Sequence, residues 1–315
     1  MHPWNASILE SLVQRLDVLP HALLVHGARG VGKLALAERV AQAILCESSG
    51  SRPCGSCEGC RWYSAGTHPD FRRVEPEALM PAPAGDEDAP APERKGKPSL
   101  EIKISQVREL ADFLNVGSHR GRRRVALVHP AEDMNANAAN ALLKGLEEPP
   151  GGAMFILVSH RPAGLLATIR SRCVAVPVAR PPANTAIAWL RSEGIRDPER
   201  WLAYAGGAPL LAADYSAHAA VLDRWLGVAR GRDTALPDTR EDLEALAEVL
   251  QKLALDRALG AFGLAQKYGL SEPASGEAQA WLRFARRMGE HRALARHPLN
   301  PRLFAAQMLG EKPEN

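Results

Sequence analysis

The feature that most constrains this chain is an apolar run followed by a glycine-rich loop and a helical pattern. Residues 22–26 are apolar up to His26, and the next eight residues read Gly-Ala-Arg-Gly-Val-Gly-Lys-Leu. Apolar residues then recur at helical spacing as far as Ile44. A strand, a glycine loop and a helix in this order are the context in which the pattern G-x-x-x-x-G-K-[ST] binds phosphate. The pattern predicts a phosphate-binding loop in an α/β fold, with these loop residues: Gly27, Gly30, Gly32 and Lys33.

The loop departs from the pattern at its last position, where Leu34 replaces the serine or threonine. The hydroxyl of that residue normally ligates the Mg²⁺ ion of a nucleoside triphosphate, and a leucine cannot do so. The loop amides and the helix N-terminus still favour an anion. The alternative is a relic loop that is empty or packed shut. We favour the relic loop and expect no ATP binding.

Further apolar runs predict three more strands, over residues 125–128, 154–158 and 174–176. Helical spacing separates them, with one helix capped by Ser105 and another ending near Pro149. Strands alternating with helices favour a parallel α/β sheet. Beyond Pro182 only helical patterns remain, so the C-terminal half is predicted to be all-helical.

The composition is ordinary for a soluble protein with packed cores. Of its 315 residues 46% are hydrophobic and 24% charged, and the formal net charge is +3. No signal peptide is visible, and no run reaches the roughly 20 apolar residues that span a bilayer. We therefore expect a cytoplasmic protein without membrane contact. Residues 78–98 are rich in proline and poor in large apolar side chains, which predicts a flexible insertion.

Three of the five cysteines are separated by two residues each, and a fourth lies before them with seven residues in between. Such spacing lets cytosolic thiolates converge on one tetrahedral ion, with Gly55 and Gly59 easing the turns. Reduced, unliganded thiols are the alternative, and Cys46 could also be a buried thiol at a helix end. Cys173 is predicted to be a small core residue. The cluster predicts a structural Zn²⁺ ion with four ligands: Cys46, Cys54, Cys57 and Cys60.

Several further segments resemble one family. Residues 140–150, Asn-Ala-Leu-Leu-Lys-Gly-Leu-Glu-Glu-Pro-Pro, resemble the helix after the second acidic motif of clamp-loader ATPases. Ser171-Arg172-Cys173 resembles their Ser-Arg-Cys motif, and residues 66–70, Gly-Thr-His-Pro-Asp, are typical of the bacterial members. With the glycine loop and the cysteines, these motifs cover roughly residues 20–180. The chain resembles the delta-prime subunits of the bacterial DNA polymerase III clamp loader, in the AAA+ superfamily.

The resemblance implies an AAA+ type α/β domain over residues 1–177, with a zinc module at about 46–60. A helical lid over 178–222 and a helical oligomerisation collar over 223–315 would follow. The implied partners are gamma/tau-type ATPase motor subunits and the delta subunit, which together load the sliding clamp on primed DNA. The chain would thus be a component of the DNA polymerase III holoenzyme.

Two further positions indicate that this chain does not hydrolyse ATP. Hydrolysing relatives end the second core strand in an aspartate for Mg²⁺ and a glutamate that positions water. Here that strand runs into His129 and Pro130, and Glu132 and Asp133 lie too far along the chain to substitute. The lid arginine of those relatives aligns with Leu210. We expect neither ATPase nor polymerase activity from the chain itself.

The resemblance gives Arg172 a role outside its own subunit, as an arginine finger that reaches a neighbouring motor's ATP site in trans. On residue chemistry alone it would be a surface ion-pair residue. Two other functions stay open, an active ATPase motor of the same superfamily and a zinc-dependent nucleic-acid-binding module. A basic run before the second strand either contacts DNA phosphates or an acidic partner, or is a solvated loop. The run consists of Arg120, Arg122, Arg123 and Arg124.

Overall fold

The chain divides into two units, residues 1–180 and 181–315. The computed structural model describes residues 1–80, 98–116, 123–270, 277–295 and 299–313. The N-terminal unit alternates helices and strands in this order: α1 Ala6–Val13, β1 Ala22–His26, α2 Lys33–Leu45, α3 Glu58–Ser64, β2 Phe71–Val74, α4 Ile104–Asn115, β3 Arg124–Val128, α5 Ala136–Glu147, β4 Ala153–Ser159, α6 Ala167–Ser171 and β5 Val174–Pro177. The described part of the C-terminal unit has helices only: α7 Ala183–Ser192, α8 Pro198–Tyr204, α9 Pro209–Ala217, α10 Ala219–Ala229, α11 Arg240–Ala261, α12 Ala278–Leu294 and α13 Pro301–Gly310.

The five strands form one parallel sheet in the order β2-β3-β4-β1-β5. β1 lies between β4 and β5, and Leu24 stands opposite Leu157 on one side and Ala175 on the other. β3 and β4 are buried along their whole length, as expected for parallel strands covered on both faces. The four predicted strands are confirmed to within one residue at each end. The parallel α/β sheet is confirmed as well.

Two local predictions are corrected by the structure. The strand β2 is absent from the predictions because Arg72 and Arg73 are exposed at this sheet edge, so no apolar run marks it. Ser105 does not cap α4, which starts earlier, at Ile104. The backbone N–H of Lys103 donates to Oε1 of Gln106 at 2.9 Å, so the glutamine side chain satisfies this end of the helix.

The apolar core of the N-terminal unit holds in place the helices and strands that carry the predicted functional residues. Buried apolar side chains from β1, β3 and β4 meet those of α4 and α5, with Phe155 and Leu146 almost fully buried. Ile169 of α6 is fully buried in the same cluster, and Cys173 packs against its margin. Cys173 is thus a small residue at the edge of the core, and burial raises the pKa of its thiol to about 11.

The C-terminal unit confirms the all-helical prediction over its described residues. Trp225 and Trp281 are fully buried at its centre. Residue 222, the expected end of the lid, lies inside α10, and the division into lid and collar stays a prediction. In the described part of the chain, no helix is both long and apolar enough to cross a membrane. Residues 81–97 of the proline-rich insertion lie outside the described residues, as do Arg120 and Arg122.

Candidate functional site

The glycine loop joins β1 to α2, as predicted. Gly27, Gly30 and Gly32 all have positive φ angles. Lys33 is the first residue of α2 and is only 2% exposed. Its Nζ donates to the carbonyl of Ala28 at 2.5 Å. The amine that would contact a phosphate in a binding loop is therefore bonded to a carbonyl of the same loop.

The first residues of the chain cover this loop. Nε1 of Trp4 donates to the carbonyl of Val31 at 3.0 Å. Nδ2 of Asn5, a residue only 1% exposed, donates to the same carbonyl at 3.0 Å and to that of Gly32 at 3.3 Å. A Cβ atom on Gly32 would lie 2.5 Å from the His2 ring. Protein donors thus satisfy the carbonyls of Ala28, Val31 and Gly32, and the loop is closely packed at Gly32.

The end of β3 carries no carboxylate in the position of the acidic motif. Glu132 folds back in a short turn, and its Oε1 accepts from the backbone N–H groups of His160 and Arg161 at 2.8 and 3.1 Å. Its other oxygen has no hydrogen-bond partner among the described residues. Burial lowers the pKa of Lys33 to about 8, and the charge of Glu132 opposes this shift. Sequence spacing alone gave no signal that Glu132 lies near Lys33.

Two histidines occupy the ends of β3 and β4. The rings of His129 and His160 meet edge to face, with centroids 5.3 Å apart. Burial lowers the pKa of each histidine to about 4. Repulsion from His160 lowers the pKa of His129 further, and repulsion from Lys33 does the same to His160. Both rings are therefore neutral at pH 7. They supply no negative charge where hydrolysing relatives hold Mg²⁺.

The structure brings together the four cysteines that the spacing predicted. Their Sγ atoms all lie within 4.8 Å of one another. The distance is 3.8 Å between Cys46 and Cys57, and 4.0 Å between Cys54 and Cys60. A tetrahedron of thiolates around zinc, with Zn–S bonds of about 2.3 Å, has edges of about 3.8 Å. The sulfur arrangement therefore fits a closed, four-coordinate site for a metal ion.

Backbone geometry supports thiolates in this cluster. The N–H groups of Cys57 and Cys60 donate to the sulfurs of Cys54 and Cys57, each at 3.3 Å. Cys46 follows the end of α2, and its sulfur accepts from the N–H of Cys54 at 3.4 Å. The donated hydrogen bonds, chiefly from Cys57 and Ser56, lower the pKa of Cys54 to about 6. Burial raises the pKa of Cys60 to about 12, so a bound cation would be needed to ionise it.

The two glycines of the module serve different purposes. Gly55 has φ of 74°, as the expected tight turn requires. Gly59 instead lies within α3, where a Cβ atom would come 2.7 Å from the carbonyl of Leu45. The expectation that Gly59 eases a turn is therefore wrong. Its lack of a side chain lets α3 approach the end of α2, which brings Cys60 towards Cys46.

Arg172 lies directly after α6, on the surface of the N-terminal unit. Its side chain is 34% exposed. Nη2 forms an ion pair with Oε1 of Glu147 at 2.6 Å, and Nη1 donates to the carbonyl of Thr168 at 3.0 Å. Sequence reasoning did not identify Glu147 as its partner, because the two residues lie 25 positions apart along the chain. Leu210, expected at the lid arginine position, is the second residue of α9 in the C-terminal unit.

The arginines of the basic run before β3 have different surroundings in the structure. Arg124 is only 4% exposed and pairs with buried Asp70 at 3.3 Å, so it is neither a DNA contact nor part of a solvated loop. Arg123 donates to the carbonyl of Leu19 at 3.1 Å. The interpretation of the run as one basic patch is therefore wrong for Arg124, because strand β3 begins at that residue and turns it inward.

Comparisons with known proteins identify the family of this chain. Residues 4–182 match the family model described as DNA polymerase III, delta subunit. The chain belongs to this family. It is 40% identical over 217 residues to the DNA polymerase III subunit delta' of Pseudomonas aeruginosa, a match that covers 67% of this chain and 60% of the relative. It is 37% identical over 195 residues to the subunit delta' of Escherichia coli K12, covering 61% and 53%. The matched region thus spans only a little over half the length of these relatives.

A solved structure supports the fold of the whole chain. The crystal structure of a DNA polymerase III gamma subunit-related protein from Thermotoga maritima aligns with a TM-score of 0.51. The alignment covers 96% of this chain and 97% of that one, at 17% identity. The identity is low, so this likeness supports the fold alone. The AAA+ type fold and the delta-prime resemblance that the motifs indicated are confirmed.

Proposed function

We propose that this chain is a non-hydrolysing subunit of a clamp loader, of the delta-prime type. One observation carries the proposal. The chain keeps Arg172 at its surface with about a third of the side chain exposed, whereas its own phosphate loop has lost the Mg²⁺-binding hydroxyl at Leu34 and is bonded to itself through Lys33. Its relatives from two bacteria are named as DNA polymerase III subunits. The chain would serve chemistry that takes place in a neighbouring subunit.

Arg172 is proposed to complete the ATP site of an adjacent gamma/tau-type motor subunit. An arginine supplied in trans stabilises the charge that develops on the transferring phosphoryl group. The surroundings of Arg172 suit that task. Ile169 in the preceding helix α6 is fully buried and fixes the backbone, while the guanidinium of Arg172 stays accessible. In its own subunit, no role in phosphate chemistry is open to it, since Leu34 and His129 replace the groups that would hold Mg²⁺.

Two further parts of the chain are proposed to support assembly. The last helices, α12 and α13, leave Leu282, Leu294 and Leu303 between 42% and 72% exposed. Such apolar side chains favour association with the helical collars of motor and delta subunits. The four cysteines are proposed to bind a structural Zn²⁺ ion, which leaves no coordination position for substrate.

The test is reconstitution of the complete clamp loader with motor and delta subunits. Arg172→Ala should leave the assembly intact by gel filtration. It should lower the DNA-stimulated ATPase, with the site beside this chain losing about 10³-fold or more. Arg170→Ala, a substitution on the same short helix, is the matched control and should leave the rate unchanged. An unchanged rate with Arg172→Ala would count against the finger, and failure to co-assemble would count against the clamp-loader role.

Two alternatives would give different results. An active motor would hydrolyse ATP on its own. The observation in favour of this alternative is that Glu132, a carboxylate, lies near Lys33. A zinc-dependent nucleic-acid-binding module would lose DNA binding on chelation, whereas a structural zinc would mainly affect stability.

A further inference from the structure

The guanidinium of Arg172 is held by three groups of its own unit. Nη2 lies 2.6 Å from Oε1 of Glu147, and Nη1 donates to the carbonyl of Thr168 at 3.0 Å and to Oγ of Ser171 at 3.5 Å. An arginine has five N–H donors, so at least two remain for another acceptor. The side chain is thus ordered and still able to bind a phosphate oxygen.

The position of Glu147 is unfavourable for its own helix. It is the last residue of α5, and a carboxylate there opposes the negative end of the helix dipole. The next residue, Glu148, adds a second negative charge. Among the described residues, Arg172 forms an ion pair with Glu147. The ion pair therefore accounts for a carboxylate that the helix itself disfavours.

The two partners stand on elements that the core holds in place. Leu146, next to Glu147, is 1% exposed, and Ile169 on α6 is fully buried in the same apolar cluster. The backbones of α5 and α6 thus have little freedom. An exposed arginine without such partners would sample many rotamers before it reached a neighbouring site.

We propose that Glu147 is a positioning residue for Arg172, which holds the guanidinium in one orientation before the neighbouring ATP site docks. This inference rests on the proposed function of Arg172 as a finger in trans. Ordering a flexible side chain when an interface forms costs conformational entropy, and this cost weakens the binding. With Glu147 present, the subunit orders the arginine beforehand. The N–H donors of the guanidinium that these contacts leave free remain available to a phosphate oxygen.

The test uses a reconstituted clamp loader in which only the motor site beside this chain keeps its own phosphate-loop lysine. Glu147→Gln removes the charge but keeps the shape of the side chain. It should lower kcat about three- to tenfold while leaving the KM for ATP and the assembly unchanged. Glu148→Gln is the matched control, because this exposed carboxylate forms no ion pair among the described residues, and its kcat should equal that of the parent.

A second measurement shows whether Glu147 acts through Arg172. In the Arg172→Ala background, Glu147→Gln should have no further effect on kcat. A further loss in that background, or an unchanged kcat with Glu147→Gln alone, would overturn the positioning role and leave the finger intact. If Arg172→Ala itself had no effect, the proposed function would fail first and the positioning role with it. Equal melting temperatures of the Gln variants would confirm that they fold.

Discussion

Nε of Arg124 lies 3.3 Å from a carboxylate oxygen of Asp70, and both side chains are at most 4% exposed. Asp70 ends the Gly-Thr-His-Pro-Asp segment that follows the cysteine module, and Arg124 begins β3. The backbone N–H of Asp70 also donates to Nδ1 of His68 at 3.1 Å. The ion pair therefore ties the segment that follows the cysteine module to strand β3 of the sheet.

Breaking this pair should destabilise the N-terminal unit. Arg124→Ala removes the guanidinium that pairs with the buried carboxylate of Asp70, and we expect a loss of about 3–5 kcal/mol in the free energy of unfolding. Chemical denaturation measures this directly. Arg108→Ala, on the exposed face of α4, is the control and should change the free energy by no more than about 0.5 kcal/mol. An Arg124→Ala variant as stable as the parent would show that the pair contributes nothing.

Removal of the metal should unfold the cysteine module. The purified protein should contain one zinc per chain under reducing, metal-replete conditions, as measured by elemental analysis. Cys57→Ser should lose the ion and lower the melting temperature by about 5 °C or more, because metal binding is coupled to folding. Cys173→Ser is the matched control, since this thiol lies outside the cluster and should leave zinc content unchanged. Substoichiometric zinc in the parent protein would rule out the proposal.

The isolated chain should neither hydrolyse nor measurably bind ATP. Lys33 is bonded to the carbonyl of Ala28, and Trp4 covers the loop at Val31. Calorimetric titration with Mg-ATP should give no heat of binding, and steady-state ATPase should equal the background. Lys33→Ala and Glu132→Gln should match the parent in both assays. Turnover that either substitution abolishes would instead identify an active motor.

Acidic pH should destabilise the N-terminal unit through its buried histidines. The pKa of both His129 and His160 is lowered from 6.5 to about 4 in the folded chain. Between these values the unfolded chain binds more protons, so the free energy of unfolding falls as pH falls. Each histidine should contribute about 1.4 kcal/mol per pH unit within this window. Stability from this source is fully present above pH 6.5.

Denaturation midpoints across pH 4 to 7.5 would measure this effect. His160→Gln should lower the slope by about 1.4 kcal/mol per pH unit, since one of the two buried imidazoles is removed. His218→Gln is the control, because this histidine is 64% exposed and should leave the slope unchanged. Equal slopes in the parent and in His160→Gln would contradict the assignment.

The sequence by itself determined the fold class, the order of the main elements and the candidate residues. Apolar runs located β1 and β4 because parallel central strands are buried on both faces. The spacing of the cysteines identified Cys46, Cys54, Cys57 and Cys60 as candidate metal ligands, since thiols this close in sequence can converge on one ion. The replacements at Leu34 and His129 are visible in the chain because each removes a specific chemical group.

Only the tertiary structure decided which distant residues meet. Edge strand β2 has no apolar run, because half of it faces solvent. Arg124 stands in a basic run, yet strand β3 turns it towards Asp70. Glu147 meets Arg172 because the core packs α5 against α6. Periodicity reports which face of an element is buried, whereas contacts between elements depend on how whole elements pack.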